Sequence, residues 1–192
     1  MSDESLSLIV VTEPTVEPIT LAELKEHLRI DGAEHDAYLT VLITSARQRI
    51  ERYLNRALIT QTLRLTLDKA GERVELPRPP LLTVSNIKVY SDTNVESTVS
   101  ADIYFANLDT EPGLVQLKTS SVWPYHRESA SFKVNYTAGY GSTAASVPHV
   151  IRHGVKMLAG KMYEHRGDEA DAEQFTLSRD VRSLLSGYRV LY

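Results

Sequence analysis

Cysteine is absent from the 192-residue sequence, and long apolar runs are absent as well. Without cysteine, disulfide bonds, thiolate metal sites and cysteine nucleophiles are excluded, so stability has to come from packing and assembly. No apolar run approaches the roughly 20 residues that cross a bilayer, which argues against a membrane protein. The first residues lack the basic segment and small-residue cleavage pattern of a secretory signal, so we expect synthesis in the cytoplasm.

The sequence also has fewer positively than negatively charged residues. Lysine and arginine number 21 against 25 aspartate and glutamate residues, which gives a formal net charge of −4. A dedicated DNA-binding protein carries a basic footprint, so tight non-specific binding of nucleic acid is not expected. The sequence has no GxSxG elbow, and its densest acidic stretch, residues 168–173, reads as a solvated loop. We therefore predict a protein that is not an enzyme, with no catalytic residues and no cofactor.

Two helices are predicted in the first third of the chain. Thr20 and Glu23 have the spacing of a capping box, in which the hydroxyl and the carboxylate each satisfy a free backbone N–H. The first helix runs to about Ile30, and Gly32 is expected to end it by adopting a left-handed conformation. The second opens near residues 34–36 and carries the clearest amphipathic stripe in the sequence. That stripe consists of Leu39, Leu42, Ile43, Ala46, Ile50, Tyr53 and Leu54.

Beyond Asn55 the apolar residues change from a helical period to alternation. Leu63, Leu65 and Leu67 alternate with polar residues, as a strand with one buried face requires. Further short pairs or triplets, separated by turn residues, indicate six or so strands between about 60 and 140. They are Val74 and Leu76, Ile87 and Val89, Val115 and Leu117, and Phe132, Val134 and Tyr136. An antiparallel sandwich or barrel is the expected arrangement.

The whole chain is therefore predicted to be α+β. A small helical bundle of three main helices plus a short C-terminal element has an antiparallel β-sandwich or barrel-like module inserted between helices 2 and 3. Residues 1–59 form an extended lead and helices 1 and 2, and residues 60–141 form the inserted β module. Residues 142–192 hold helix 3, followed by the acidic loop and an apolar tail. Ser146 is a possible N-cap of helix 3, with Pro148 in its first turn, and the helix ends near Gly167.

Two short patterns resemble ligand sites but lack the necessary context. His149 and His153 have the four-residue spacing of a metal-binding pair, yet no glutamate lies between them and spacing identifies no third ligand. Gly139 and Gly141 form a GxG without the lysine and adjoining helix of a phosphate-binding loop. We therefore expect no metal site, surface or interface histidines, and a glycine-rich exit from the last strand.

An arginine cluster and an aromatic loop each leave two interpretations open. Helical spacing spreads the arginines over more than one side of helix 2, which favours a solvated or subunit-contacting face over weak phosphate contacts in a channel. The cluster consists of Arg47, Arg49, Arg52 and Arg56. Trp123 and Tyr125 lie between strands, where they either cap the β core, which we favour, or form an exposed recognition loop.

The C-terminal tail is unusually apolar for a chain end, where residues are ordinarily frayed and polar. Such a segment is typical of a docking peptide, and addition of a strand to a partner's sheet edge is one physical route. The predicted docking residues are Leu184, Leu185, Tyr188, Val190, Leu191 and Tyr192.

Several segments together resemble the head-to-tail connector, or adaptor, proteins of long-tailed phages, prophages and gene transfer agents. The similarity covers nearly the whole chain. It rests on the helix pair at 17–62, LPRPPLLTVSNIKVY at 76–90, NYTAGYG at 135–141 and VPHVIRHGVKMLAGKMYEHRG at 147–167.

This resemblance implies a role in virion assembly. It implies a ring of about twelve copies beneath the portal protein, which extends the DNA channel and presents a surface to the tail-completion or stopper protein. DNA then passes during packaging and ejection without sequence-specific binding. The C-terminal segment of such proteins docks on the portal, a role carried here onto Leu184 to Tyr192. The protein is expected to be made in the bacterial cytoplasm and to become part of the virion.

Docking of a frayed tail orders it only on binding, so we expect a monomer when free and a ring that forms on the portal. The alternative to a connector is a β-module ligand-binding protein or another tail-associated structural protein. The position in the particle separates the two, because a connector lies between capsid and tail.

Overall fold

The computed structural model describes residues 6–165 and 177–191, and it confirms the predicted α+β class. The predicted acidic loop at 168–173 and Tyr192 lie outside the described residues. The chain divides into two compact units. The β unit contains residues 6–13 and Thr60–Gly139, and the helical unit contains Pro14–Ile59 with the described residues from 140 onward.

The β unit is built from two antiparallel sheets. One has five strands in the order β1-β2-β8-β4-β5, and the other has three in the order β3-β7-β6. The strands are β1 (Leu6–Thr12), β2 (Gln61–Leu67), β3 (Arg73–Leu76), β4 (Leu81–Tyr90), β5 (Glu96–Thr98), β6 (Tyr104–Asn107), β7 (Gly113–Leu117) and β8 (Phe132–Ala138).

Alternation decides which face of each strand is buried. Along β2, Leu63 and Leu65 are buried whereas Arg64 is only partly so, and in the register Leu65 pairs with Val134. The predicted strands are thus present with the predicted inward residues. The buried apolar residues of the two sheets include Leu63, Leu65, Val74, Leu76, Ile87, Val89, Val115, Phe132, Val134 and Tyr136.

The extended lead does not belong to the helical bundle, as the predicted domain of residues 1–59 had it. It forms β1, whose Leu8 and Val10 lie opposite Leu65 and Leu63 of β2. The reason is the same period of two, which places these residues on the buried side of the five-stranded sheet. The chain enters the helical unit at Pro14.

The helical unit contains α1 (Leu21–Leu28), α2 (Asp36–Leu54), α3 (His149–Glu164) and α4 (Arg179–Leu185), followed by a single 3-10 turn at Ser186–Tyr188. None of the helices in the described ranges has the length and apolar character required to cross a bilayer. The four helices share one apolar core. Its buried residues include Leu24, Leu39, Ile43, Ile50, Ile151, Val155, Leu158 and Leu185.

The capping box at the start of α1 is present as predicted. The Thr20 hydroxyl accepts from the Glu23 N–H at 3.1 Å, and the Thr20 N–H donates to Glu23 Oε2 at 2.7 Å. The helix ends earlier than expected, because Arg29 rather than Gly32 provides the left-handed C-cap, with φ of 55°. Gly32 also has a positive φ, in the turn toward α2.

Glu23 joins the start of α1 to α3 as well. Its Oε1 accepts from Arg152 Nη2 at 2.6 Å and lies 3.5 Å from Lys156 Nζ. Burial alone would raise the pKa of Glu23, but hydrogen bonds from Thr20 and the charges of Arg152 and Lys156 outweigh it. The pKa of Glu23 therefore lies below its ordinary value of 4.5.

Candidate docking site

The C-terminal segment, residues 177–191, is fixed to the helical unit. Its helix α4 is capped by Ser178, whose hydroxyl accepts from the Val181 N–H at 3.3 Å, and the helix buries Val181 and Leu185. A Cβ on Gly154 of α3 would lie 3.2 Å from the Leu185 methyl carbons. The missing side chain at Gly154 thus lets Leu185 reach the α3 backbone closely.

Beyond the 3-10 turn, three residues at the end of α2 bind the tail backbone. The Val190 N–H donates to the Leu54 carbonyl at 3.0 Å, and Asn55 Nδ2 donates to the Val190 carbonyl at 2.9 Å. Arg56 Nε donates to the carbonyl of Tyr188. These bonds place Val190 against the bundle, where only 8% of it is exposed.

Asn55 is a functional residue that the sequence reasoning missed. It ends α2 in the left-handed conformation, with φ of 54°, and its amide then binds Val190. Asparagine is among the few non-glycine residues that adopt this conformation readily. An asparagine immediately after a helical stripe was the available signal.

The predicted docking residues therefore differ in what they offer a partner. Leu185 and Val190 are buried, and Leu184 and Tyr188 are partly buried. Leu191 is 75% exposed and follows directly after the bound backbone of Val190. The segment presents Leu191 from a fixed position, while the buried members support it.

The four arginines of the cluster differ in how deeply they are buried. Arg47 and Arg56 are 2% and 8% exposed, so the expectation of a surface role needs correction for these two. Arg56 binds the tail through the Tyr188 carbonyl, and Arg47 binds two carboxylates within the helical unit. Arg49 is partly buried and Arg52 is exposed, and for both of them contact with a subunit or a channel stays a prediction.

Arg47 belongs to a buried ionic network. Its Nε donates to Glu17 Oε2 at 2.8 Å and its Nη1 donates to Glu51 Oε2 at 2.9 Å. The other carboxylate oxygen of Glu51 accepts from the Leu58 N–H at 2.9 Å. The network therefore joins the segment before α1, the middle of α2 and the chain just after α2.

The histidine and glycine motifs occupy structural positions. His149 and His153 are exposed, and the His153 ring lies 6.4 Å from that of His27. Over the described part of the chain, no group of three or more potential ligands is placed to hold a metal. Gly141 has a φ of 153°, and a Cβ there would lie 2.5 Å from the Ser146 hydroxyl, so the backbone itself requires glycine.

The two aromatic residues of the loop differ in burial: Trp123 caps the β core as favoured, whereas Tyr125 is exposed and its role in recognition stays a prediction. Trp123 covers the β core, with its ring 4.9 Å from Phe132 in an edge-on arrangement and its Nε1 donating to the Gly71 carbonyl at 2.8 Å. Tyr125 is 74% exposed, and its hydroxyl donates to Asp92.

Tyr125 is part of a fixed loop pair, which we define as the turn 91–95 and the loop 118–130. Arg127 Nη1 donates to Asn94 Oδ1 at 2.6 Å and so ties the loop to the turn. Val95 and Val122 are exposed on the same pair. A contiguous exposed apolar patch is typical of a protein contact surface, whereas single exposed apolar residues are ordinary.

Comparison with known proteins agrees with this architecture. A family model described as the phage gp6-like head-tail connector protein matches residues 18–109. Among curated proteins, no significant sequence match is found.

Solved structures match nearly the full length. One, the neck of an empty GTA particle computed with C6 symmetry, is 25% identical with a TM-score of 0.82, over 97% of this chain and 96% of that chain. The virion of a native gene transfer agent (GTA) particle is 27% identical with a TM-score of 0.79, over 96% of both chains. The neck of a native GTA particle computed with C12 symmetry is 26% identical with a TM-score of 0.72, over 98% of this chain and 96% of that one.

The family match covers α1, α2 and strands β2 to β6, and the structural matches add the remaining elements. The sequence resemblance is thereby confirmed. Residues 18–109 match the head-tail connector family model, and the structure is similar over nearly its full length to components of GTA necks and virions, which supports a structural connector subunit of a phage-like particle.

Proposed function

We propose that the protein assembles as a ring of about twelve copies beneath the portal, extends the DNA channel and joins capsid to tail. The observation that carries this proposal is similarity over 96 to 98% of the chain to components of GTA necks and virions, two of them computed with C6 or C12 symmetry. Cryo-electron microscopy of particles tests it. A ring between capsid and tail supports the connector role, whereas density at the distal end of the tail supports the alternative, a β-module ligand-binding protein.

The C-terminal segment is the proposed portal-docking site. Leu191 is its exposed apolar residue, and the backbone bonds at Val190 hold it in place. Tyr192 follows directly in the sequence and adds an aromatic side chain of the kind enriched in protein interfaces. Because the supporting segment is already ordered in the chain, docking costs little ordering entropy.

Replacing Leu191 with serine tests this site without disturbing the core. Burial of a leucine contributes roughly 1.5 to 3 kcal/mol, so portal affinity should fall about ten- to hundredfold. Leu108→Ser is the matched control, because Leu108 is also exposed but lies in the β unit. Binding of both variants to purified portal is measured by calorimetry. Equal affinities for the Leu191 and Leu108 variants would contradict the docking role.

Truncation of the tail affects the stability of the helical unit as well as the docking surface. Deleting residues 190–192 removes the Val190 bonds to Leu54 and Asn55 together with the exposed Leu191. We expect loss of portal binding together with some loss of stability in the helical unit. A truncation after Val190 avoids the second effect, and normal particle yield from it would argue against the site.

The described part of the tail is bound to the helical unit rather than frayed as expected, so ordering of the tail gives no argument for the oligomeric state. We also propose that the free protein is a monomer and that the ring forms on the portal template. Analytical ultracentrifugation at micromolar concentration should show mainly monomer, and a stable ring without portal would contradict the templated route.

The loop pair is the proposed surface for the tail-completion or stopper protein. Val122 and Tyr125 are 78% and 74% exposed, and the bonds to Asp92 and Asn94 hold the loops in place. Val122→Ser with Tyr125→Ser should leave portal binding intact and stop addition of the next neck component. If tails join normally to particles carrying this double variant, the loop pair is not that surface.

A further inference from the structure

The outer face of the five-stranded sheet is entirely polar at its centre. Along β2, β8 and β4, residues that alternate with the buried ones point away from the core and are partly exposed, apart from nearly buried Asn135. The outer face, as we define it, consists of Thr62, Arg64, Thr66, Asn86, Lys88, Tyr90, Lys133, Asn135 and Thr137.

A chain of side-chain hydrogen bonds organises this outer face across three strands. Arg64 Nε donates to Asn135 Oδ1 at 2.8 Å, and Asn135 Nδ2 donates to Asn86 Oδ1 at 2.7 Å. The guanidinium is therefore held in one position by a neutral amide, and its charge stays available.

The two lysines of the outer face add to this positive charge. Lys133 Nζ lies 4.3 Å from the centroid of the Tyr90 ring, another neutral partner. Lys88 forms an ion pair with Glu96 of β5 at 2.6 Å, at the margin of the face. The outer face thus has three cations against one carboxylate, in a chain whose net charge is −4.

The register brings two of these cations together. Lys88 and Lys133 lie directly opposite each other on β4 and β8, on the same face. Like charges in that position destabilise a sheet. Glu96 offsets part of this repulsion, because it pairs with Lys88 and its pKa is lowered by hydrogen bonds from Lys88 and Tyr90 and by the charges of both lysines. With Arg64 included, the face still carries more positive than negative charge, which suits a negatively charged partner.

We propose that the outer face contacts the sugar-phosphate backbone of duplex DNA, without reading its sequence. The proposal rests on the proposed channel function and assigns the DNA-facing surface to the sheet rather than to the arginines of α2. Arginine, lysine, threonine, asparagine and tyrosine are the side chains that bind phosphate and sugar in protein–DNA complexes.

The composition of the outer face favours DNA over an acidic protein partner. Protein interfaces are centred on buried aromatic and aliphatic anchors, whereas DNA interfaces are more polar and more positive. At the centre of this face lie Arg64, Lys133 and the asparagine pair. One aliphatic residue, Ile9 of the edge strand β1, lies opposite Arg64 and is 47% exposed. Because each copy contributes only a few cations, the contact is weak enough for the duplex to slide.

The test compares two triple variants of the full chain with equal net charge. The outer-face variant is Arg64→Gln, Lys88→Gln and Lys133→Gln. The control variant is Lys69→Gln, Arg73→Gln and Lys118→Gln, which removes three exposed cations elsewhere on the β unit. Binding to a mixed-sequence duplex of about 20 base pairs is measured by fluorescence anisotropy from about 20 to 200 mM salt.

Each phosphate contact contributes about 0.9 to the slope of log affinity against log salt concentration. We expect the outer-face variant to lose about 2 to 3 from the slope and at least about tenfold in affinity at low salt, with the control within about threefold of the unmodified chain. Lys88→Gln with Lys133→Gln, which keeps the Arg64 hydrogen bonds, should give an intermediate loss. Circular dichroism confirms that each variant is folded.

Other outcomes overturn the proposal. If the unmodified chain shows no salt-dependent binding, or if both triple variants weaken equally, the outer face is not a DNA surface. If the outer-face variant binds DNA normally but fails to form a ring on the portal, the face contacts protein. If even the unmodified chain forms no ring, the proposed function fails, and the DNA measurement still decides this inference.

Discussion

Removal of the Arg47 side-chain charge should destabilise the helical unit more than any substitution on its surface. Arg47→Met keeps most of the side-chain volume but removes the Arg47 cation from the Glu51 carboxylate. Both side chains are only 3% exposed, so water does not replace the lost partner. Loss of one member of a buried ion pair costs about 3 to 5 kcal/mol, because the remaining charge is uncompensated.

The two carboxylates that contact Arg47 contribute unequally to this loss of stability. Glu17, the second partner of Arg47, is 24% exposed and regains hydration, so its contribution is small. Glu51 retains its bond from the Leu58 N–H but loses the charge that offsets its burial. We therefore expect about 3 kcal/mol or more from Glu51, a large part of the 5 to 15 kcal/mol typical of a whole domain.

Urea denaturation of the full chain measures this loss. Far-ultraviolet circular dichroism follows the helical unit, and fluorescence of the single tryptophan, Trp123, follows the β unit. Arg52→Met is the matched control, because Arg52 is exposed on the same helix and should change stability by no more than about 0.5 kcal/mol.

A second substitution identifies the cause. Glu51→Gln in the Arg47→Met background removes the stranded charge and keeps an oxygen for the Leu58 N–H, so most of the lost stability should return. The reasoning is refuted if Arg47→Met costs less than about 1 kcal/mol, or if the double variant is no more stable than the single one.

Three further predictions concern the tail, the start of α1 and the glycine bend. Asn55→Gly keeps the left-handed conformation but removes the amide, so hydrogen exchange at the Val190 N–H should accelerate while α2 stays protected; unchanged exchange would argue against the amide bond. The lowered pKa of Glu23 means that its stabilisation is present above pH 4.5 and is lost as the pH falls through the lower folded value. Acid titration of unfolding should therefore be flatter for Glu23→Gln. Gly141→Ala should cost about 1 to 3 kcal/mol in thermal unfolding, because it strains the backbone, and a neutral result would contradict that strain.

Features encoded over short distances could be predicted from the sequence. The Thr20–Glu23 capping box and the alternation around Leu65 depend on neighbours within a few residues, and both are present. The pairing of β1 with β2 joins residues 50 to 61 positions apart, and a period of two in the lead segment does not identify its partner strand.

The candidate site was harder to predict for the same reason. Hydrophobic patterning treats every arginine as a surface residue, so it misses Arg47, whose partner Glu17 lies 30 positions away. The tail was recognised as apolar, but its attachment depends on Asn55, 135 positions from Val190. Such contacts become visible only when the chain is folded.

The path of the chain between the β unit and the helical unit bears on how a connector carries mechanical load. The backbone passes from one unit to the other after Glu13, again after Ile59, and a third time after Gly139. Three covalent segments therefore act in parallel, and tension applied to one unit is divided among peptide bonds rather than borne by a single linker. One proteolytic cut at any of these points leaves the two units tethered by the other two.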